Sequence, residues 1–201
     1  WDIEHIHARA TDEEIRNAYD MNKSSFKWEE MMKLFLIMVP KGSNGMAAKA
    51  LCEDMRNQYI KDSKKGESFV SDAQNGKSYQ AGELLIEKTS RQAQALRWSE
   101  DKLRELFGHK VGYISEATET GTDYQFYAVL KKYDAKQLTL SDVVQPETTV
   151  TVYDYIKNNL SQQKQMQYFT QAAQDMSKEL NTNANVDRKK KGDALTKLLN
   201  W

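Results

Sequence analysis

The stretch MMKLFLIMV, residues 31–39, is followed directly by Pro40, Lys41 and Gly42. Its length and the turn-forming residues behind it favour a buried strand over a helix. The uninterrupted apolar part, Leu34–Val39, is far shorter than the roughly 20 residues that cross a bilayer. The stretch therefore predicts a buried strand and excludes a membrane span at this point of the chain.

Helices and further strands are predicted around this strand. Two strand-like runs, Val111–Glu116 and Tyr124–Tyr133, are separated by a hairpin turn around Gly121. Residues 83–98 match neither the apolar spacing of a helix nor the alternation of a strand clearly. Helical patterns cover about 12–23, a region beginning at Met46, a short region at 99–108 and a long one at 152–180. This order of elements predicts an α+β fold with a small antiparallel sheet flanked by short helices.

Two helix starts carry capping signals, and the last helix carries an apolar stripe. Thr11 and Glu14 have the spacing of a capping box, and Ser99 is a second N-cap residue. A stripe as long as that of the last helix needs a partner surface to cover it. Its members are Val152, Ile156, Leu160, Phe169, Ala173, Met176 and Leu180.

Composition argues against several classes of protein. The 201 residues include 29 Lys+Arg and 29 Asp+Glu, so the net charge is zero, whereas a dedicated nucleic-acid binder normally has a basic excess. Cys52 is the single cysteine, which rules out an intramolecular disulfide and a cysteine zinc cluster. One cysteine fits a reducing compartment and equally fits envelope proteins that lack disulfides.

No metal or cofactor is predicted. His5 and His7 share one face of a strand predicted at Asp2–His7, but no third ligand is near them in sequence. The turn Lys41–Gly45 lacks the Gly-Lys-Ser/Thr ending of a phosphate loop. The basic run Arg188–Lys191 is interpreted as a solvated stretch.

The order and spacing of several motifs resemble the parvulin family of peptidyl-prolyl isomerases, and more closely the envelope foldases of the SurA/PrsA type. The family's Arg-His-Ile-Leu-Val strand corresponds to Lys33–Val39, its Gly-Gly-Asp-Leu-Gly turn to Ala81–Leu85, and its Ser-Gly-Tyr-His-Ile-Ile strand to Thr122–Tyr127. The other matching segments are Thr11–Asp20, Lys65–Phe69 with Ala73, Val111–Glu116 and Val152–Val186.

The resemblance implies a domain organisation and a function. Residues 1–28 would be an N-terminal helical segment of a chaperone-type domain, 29–135 a parvulin-like domain, 150–186 a C-terminal chaperone helix and 187–201 a tail. The implied function is that of a protein-folding factor of the cell envelope, periplasmic or a surface lipoprotein, that binds unfolded or extended polypeptide clients and not nucleic acid. The chain begins at Trp1, so an upstream signal segment or lipid anchor is compatible with it.

The resemblance also implies a site. A parvulin site has two histidines on adjacent central strands, flanked by an Asp or Cys and by a Ser or Thr. The corresponding residues here are Phe35 and Gln125 for the histidines, Glu83 for Asp/Cys and Thr122 for Ser/Thr. The family's apolar proline pocket comes from the short helix after the glycine turn, and its candidates are Trp98, Leu103 and Phe107, which are equally good core residues.

Three interpretations stay open. Prolyl isomerisation has a barrier of about 20 kcal/mol, which falls when a site binds the twisted amide better than the planar forms. Glu83, Thr122 and Gln125 could form a hydrogen-bonded group that retains altered isomerase activity. In the second interpretation the site has decayed and the fold serves binding only. In the third, the chain is a structural or assembly module whose long helix pairs with a partner or with itself.

Overall fold

A computed structural model describes residues 9–181, which belong to two compact units. One unit is residues 27–137, and the other contains the described residues 9–26 and 138–181. In chain order the elements are α1 (Asp12–Met21), β1 (Lys27–Trp28), β2 (Met31–Pro40), α2 (Gly45–Lys61), α3 (Lys65–Gln74), β3 (Gln80–Glu87), α4 (Ser90–Leu96), α5 (Glu100–Gly108), β4 (Thr118–Glu119), β5 (Asp123–Tyr133), β6 (Lys136–Gln137) and α6 (Val152–Leu180). A short 3₁₀ turn, Lys23–Ser25, follows α1.

The 27–137 unit is an antiparallel sheet with helices on both faces, so the predicted α+β fold class is confirmed. The four-stranded sheet has the order β3-β2-β5-β4, and β1 pairs with β6 in a separate two-stranded ribbon. β2 lies inside the four-stranded sheet, where it pairs with β3 on one side and β5 on the other.

The side chains of β2 are buried on both faces of the sheet because they alternate in direction. Phe35, Ile37 and Val39 face α2 and α3, where they join a core with Cys52 and Phe126. On the other face the core against α4 and α5 contains Met32, Leu34, Ile86, Leu103, Leu106, Phe107 and Val129. An almost continuous apolar run is what a strand covered on both faces requires.

Two predictions from the sequence are corrected or completed here. The strand predicted at Val111–Glu116 is wrong: a turn in which Gly112 has a φ of +90° interrupts the segment, and Ile114 alone forms a bridge, to Ala128. The ambiguous stretch 83–98 divides at Thr89, which caps α4 by accepting a hydrogen bond from the Gln92 amide at 3.1 Å. The strand predicted at Asp2–His7 lies outside the described residues.

The second unit is built on α1 and α6. The predicted capping box is present, because Thr11 Oγ1 accepts from the Glu14 amide at 3.3 Å while Glu14 accepts from the Thr11 amide at 2.8 Å. Lys164 of α6 forms an ion pair of 2.7 Å with Glu14, and the Tyr19 hydroxyl donates to the Leu138 carbonyl oxygen at 2.7 Å.

The two halves of α6 differ in their surroundings. Val152 and Ile156 are buried, whereas the second half exposes large apolar side chains. The exposed members are Met166, Tyr168, Phe169, Met176 and Leu180. Across the described part of the chain, no helix combines the length and the apolar character that a membrane span needs.

Candidate functional site

An open groove lies on the face of the sheet that carries α4 and α5. We call it the Leu36 groove. It has a volume of about 670 Å³. Its floor is formed by side chains of β2 and β3, and its walls by the α4–α5 connection, by the segment before β4 and by β5. The principal lining residues are Leu34, Leu36, Leu84, Ile86, Trp98, Lys102, Leu106, Tyr113, Ser115, Gln125 and Tyr127.

The floor of the groove follows from strand alternation. Even-numbered side chains of β2 and β3 point to this face, so Leu36, Leu84 and Ile86 form an aliphatic surface. On β5 the same face carries Gln125 and Tyr127, because Gln125 is opposite Met38 and Tyr127 is opposite Leu36. The strand register therefore makes an apolar floor with one amide and one phenol beside it.

Aromatic rings stand around this floor. Trp98 lines the groove, and the Lys102 ammonium lies 4.6 Å from the centre of its ring. His109 stacks on Tyr113 with ring centres 3.6 Å apart, and Tyr113 lies 6.2 Å from Tyr127. Flat rings of this kind supply large apolar contact areas at little cost in side-chain entropy.

The polar end of the groove is fixed by Ser115. Its hydroxyl accepts from the Tyr127 amide at 2.9 Å and donates to the Glu116 carbonyl oxygen at 3.0 Å. Arg56 donates to the Ser115 carbonyl oxygen at 2.6 Å and pairs with the Glu116 carboxylate at 2.8 Å. These bonds tie the wall to β5 and α2, and they occupy the donor of the Ser115 hydroxyl.

The four predicted catalytic positions do not come together. Gln125 lies in the Leu36 groove, but Phe35 and Glu83 are on the opposite face of the sheet, directly across the β2–β3 ladder from each other. Thr122 lies in the turn before β5, where its hydroxyl donates to the Asp123 carboxylate at 2.9 Å. The hydrogen-bonded group of Glu83, Thr122 and Gln125 is therefore not formed.

Strand alternation explains the separation. Side chains on a strand change face at each step, so Phe35 points to the face opposite that of Gln125. Leu36 is the β2 residue that lines the groove with Gln125. The apolar positions Phe126 and Ala128, which alternate with Gln125 and Tyr127, are the sequence signal that separates the two faces.

The three candidates for the proline pocket also separate. Trp98 lines the groove. Leu103 and Phe107 are buried in the core between α5 and the sheet, which is their structural role. Leu106, from the same helix, reaches the groove and was missed in the sequence.

A second cavity of about 740 Å³, which we call the Phe35 pocket, lies on the opposite face of the sheet. Phe35 stacks on Tyr59 there with ring centres 5.0 Å apart, and Gly66 packs so closely that a Cβ atom would lie 3.1 Å from the Tyr59 ring. Burial, and then the charge of Glu83, raises the pKa of Tyr59. Glu83 itself forms an ion pair of 2.7 Å with Lys33.

His5 and His7 lie outside the described residues. Between residues 9 and 181, His, Cys, Asp and Glu side chains form no group of three or more that could hold a metal ion. The single thiol, Cys52, is fully buried, and burial raises its pKa to about 11. A thiol in this state is a poor nucleophile.

Comparisons with known proteins give a likeness among solved structures only. No family model matches the chain, and no curated protein matches it. Among solved structures, one similar chain comes from a study of the virulence factor PEB4 and a second, periplasmic protein of Campylobacter jejuni, described as structurally related SurA-like chaperones. The identity is 15%, the TM-score is 0.41, and the match covers 90% of this chain and 68% of that one. At this TM-score the likeness carries no argument, so function is argued from the residues.

The phenol of Tyr127 provides a test of the groove's burial. Burial, with the nearby Tyr113 and Glu105, raises the pKa of Tyr127 to about 12. An unfolded tyrosine titrates near pH 10, so the unfolded state loses this proton first, and stability falls between about pH 10 and 12. Tyr127→Phe should make that fall shallower in urea unfolding at pH 9 to 12, whereas Tyr168→Phe, exposed on α6, should not. Equal slopes in all three proteins would contradict the burial of Tyr127.

Proposed function

We propose that the chain is a polypeptide-binding folding factor of the cell envelope, with a parvulin-type domain whose isomerase positions are degenerate. The observation that supports it best is the Leu36 groove. It has an aliphatic floor, walls that combine aromatic rings with four carboxylates, and no histidine among its lining residues. A surface of this kind suits apolar side chains of an unfolded client.

The chemistry of isomerisation supports binding over catalysis. A rate gain requires groups that favour the twisted amide over both planar forms. In the family two imidazoles stand beside the rotating bond, whereas the Leu36 groove is lined by Leu36 and Gln125 and has no imidazole among its lining residues. Leucine has no hydrogen-bonding group, and the Ser115 hydroxyl is already engaged. What remains is an apolar floor able to hold a proline ring or another apolar side chain, with the carboxylates of Asp101, Glu105, Glu116 and Glu119 around it.

The magnitude of the contact fits a holding function. Burying one aliphatic or aromatic side chain is worth about 1.5–3 kcal/mol, and ordering the client costs part of this. A groove that takes one or two side chains therefore binds weakly and releases quickly. Weak contact with many apolar segments is what a factor that delays aggregation needs. The envelope location is proposed from the resemblance to SurA/PrsA-type foldases.

An aggregation assay tests this proposal. The protein at a stoichiometric amount should slow light scattering by citrate synthase diluted from denaturant. Trp98→Ala should weaken the effect severalfold, because it removes an aromatic wall of the groove. The matched control is Met46→Ala, since Met46 is 85% exposed on α2 and lies outside the groove. Circular dichroism would establish that both variants fold. No slowing at a tenfold excess of the unmodified protein would contradict the proposal.

A second candidate function, as an assembly module, is favoured by the exposed half of α6. Met166, Phe169, Ala173, Met176 and Leu180 follow one another at spacings of three and four, which is the seam pattern of a coiled coil. Phe169 in the middle of this seam is 73% exposed. In this function a second copy of the chain would cover the seam.

Light scattering at increasing concentration tests the second candidate. If α6 pairs with itself, the mass should rise toward twice that of the chain, and Phe169→Glu should abolish the rise by placing a charge in the seam. Gln171→Glu, on the opposite side of the helix, should leave it unchanged. A constant monomer mass up to millimolar concentration would exclude self-pairing.

A further inference from the structure

The outer edge of β3 is the feature that the groove does not account for. β3 is the first strand in the order β3-β2-β5-β4, so it pairs with β2 on one side only. It is eight residues long, Gln80–Glu87. An edge of this length presents a row of backbone donors and acceptors to a further strand.

The register shows which backbone groups point outward. The Lys88 amide donates to the Glu30 carbonyl oxygen at 2.8 Å, in register with the β2–β3 ladder. Alternation along an antiparallel ladder then directs the even-numbered residues of β3 toward β2. The outward N–H and C=O groups therefore belong to Ala81, Glu83 and Leu85. The pairing of β2 with β5 agrees with this, because the Lys41 amide, just after β2, donates to the carbonyl oxygen of Thr122, just before β5, at 3.0 Å.

Side chains along this edge are accessible to solvent. Glu83 is 51% exposed, and Gln80 and Glu87 at the two ends of the strand are exposed as well. On the other face, the Phe35 pocket reaches the strand at Gly82 and Glu83. Within residues 9–181, Ala81, Glu83 and Leu85 have no backbone hydrogen bond beyond the ladder with β2.

The charges of β3 indicate what the edge accepts. The strand carries Glu83 and Glu87 and no basic residue. Glu83 is 51% exposed and already touches Lys33, but a carboxylate has about four lone-pair sites and can accept from a second cation. Leu84 and Ile86 lie on the other face of the strand. A complementary strand would thus carry basic side chains opposite Glu83 and Glu87, which share their face with the apolar Ala81 and Leu85, and apolar side chains on the other face.

We propose that an extended segment of a client polypeptide, with alternating basic and apolar residues, adds to the edge of β3 as a fifth, antiparallel strand. This deepens the proposed function, on which it rests, by naming where and how the client binds. Backbone bonds to Ala81, Glu83 and Leu85 supply affinity without regard to sequence, and the alternation supplies the preference. The apolar side chains of the added strand lie next to the edge of the Leu36 groove.

Backbone methylation of a probe peptide tests the geometry without altering the protein. The probe is an eight-residue peptide of alternating lysine and valine with blocked ends. In the proposed register the lysines lie opposite Ala81, Glu83 and Leu85, so their N–H groups bond to β3 and those of the valines point away. N-methylation of the lysines should lower the affinity at least about tenfold, and N-methylation of the valines should leave it within about twofold.

Amide exchange and one pair of variants complete the test. The peptide should slow exchange of the Ala81, Glu83 and Leu85 amides and leave the Gly82 and Leu84 amides, which bond to β2, unchanged. Glu83→Gln should lower the affinity about two- to fivefold. Glu53→Gln should not, although Glu53 is also 51% exposed.

Each outcome separates this inference from the proposed function. Equal loss from both methylated peptides, or exchange that slows only for residues of the Leu36 groove, would overturn strand addition and leave polypeptide binding standing. No peptide binding together with normal suppression of citrate synthase aggregation would do the same. No binding and no suppression would overturn both.

Discussion

Burial of β2 on both faces is the constraint on which the rest of the 27–137 unit depends. Its odd-numbered side chains complete the core with α2 and α3, and its even-numbered ones complete the core with α4 and α5. Because both faces are covered, a shift of one residue would exchange the two sets of side chains, so the register is strongly fixed. The same alternation that fills the two cores puts the Leu36 side chain in the groove. It also directs the backbone N–H and C=O groups of Ala81, Glu83 and Leu85 away from β2, toward the outer edge of β3.

The elements with a strong local signal were predictable from the sequence. β2 follows from its apolar run, α1 from its capping box and α6 from its helical spacing. The segment 111–116 was not predictable as irregular, because its apolar alternation is that of a strand and the turn at Gly112 overrides it. At the site, the sequence could not show that Phe35 and Gln125 lie on opposite faces of the sheet, which only the ladder register reveals. Trp98 and Phe107 have similar sequence surroundings, and tertiary packing alone decides that one lines the groove and the other is core.

The Leu36 groove and the β3 edge are neighbouring parts of one surface. The groove offers contact with apolar side chains but no row of backbone hydrogen-bonding groups. The edge offers backbone hydrogen bonds but no deep pocket. A client that contacts both the groove and the edge would bind more tightly than through either contact alone. Losing one of the two weak contacts would then be enough to release it. The sheet that buries β2 thus positions both the floor of the groove and the edge strand β3.

Exchange spectroscopy on a short Ala-Pro peptide tests the central claim most directly, because one NMR experiment reports both contact and catalysis. With the protein at a catalytic amount, the account predicts that the cis–trans exchange rate stays at its uncatalysed value. With the protein in excess, the peptide signals should shift and broaden through contact with the groove. A rate increase that Gln125→Ala removes would contradict the account and show that the fold isomerises without histidines. Peptide signals unaffected even in excess would contradict binding in the Leu36 groove itself.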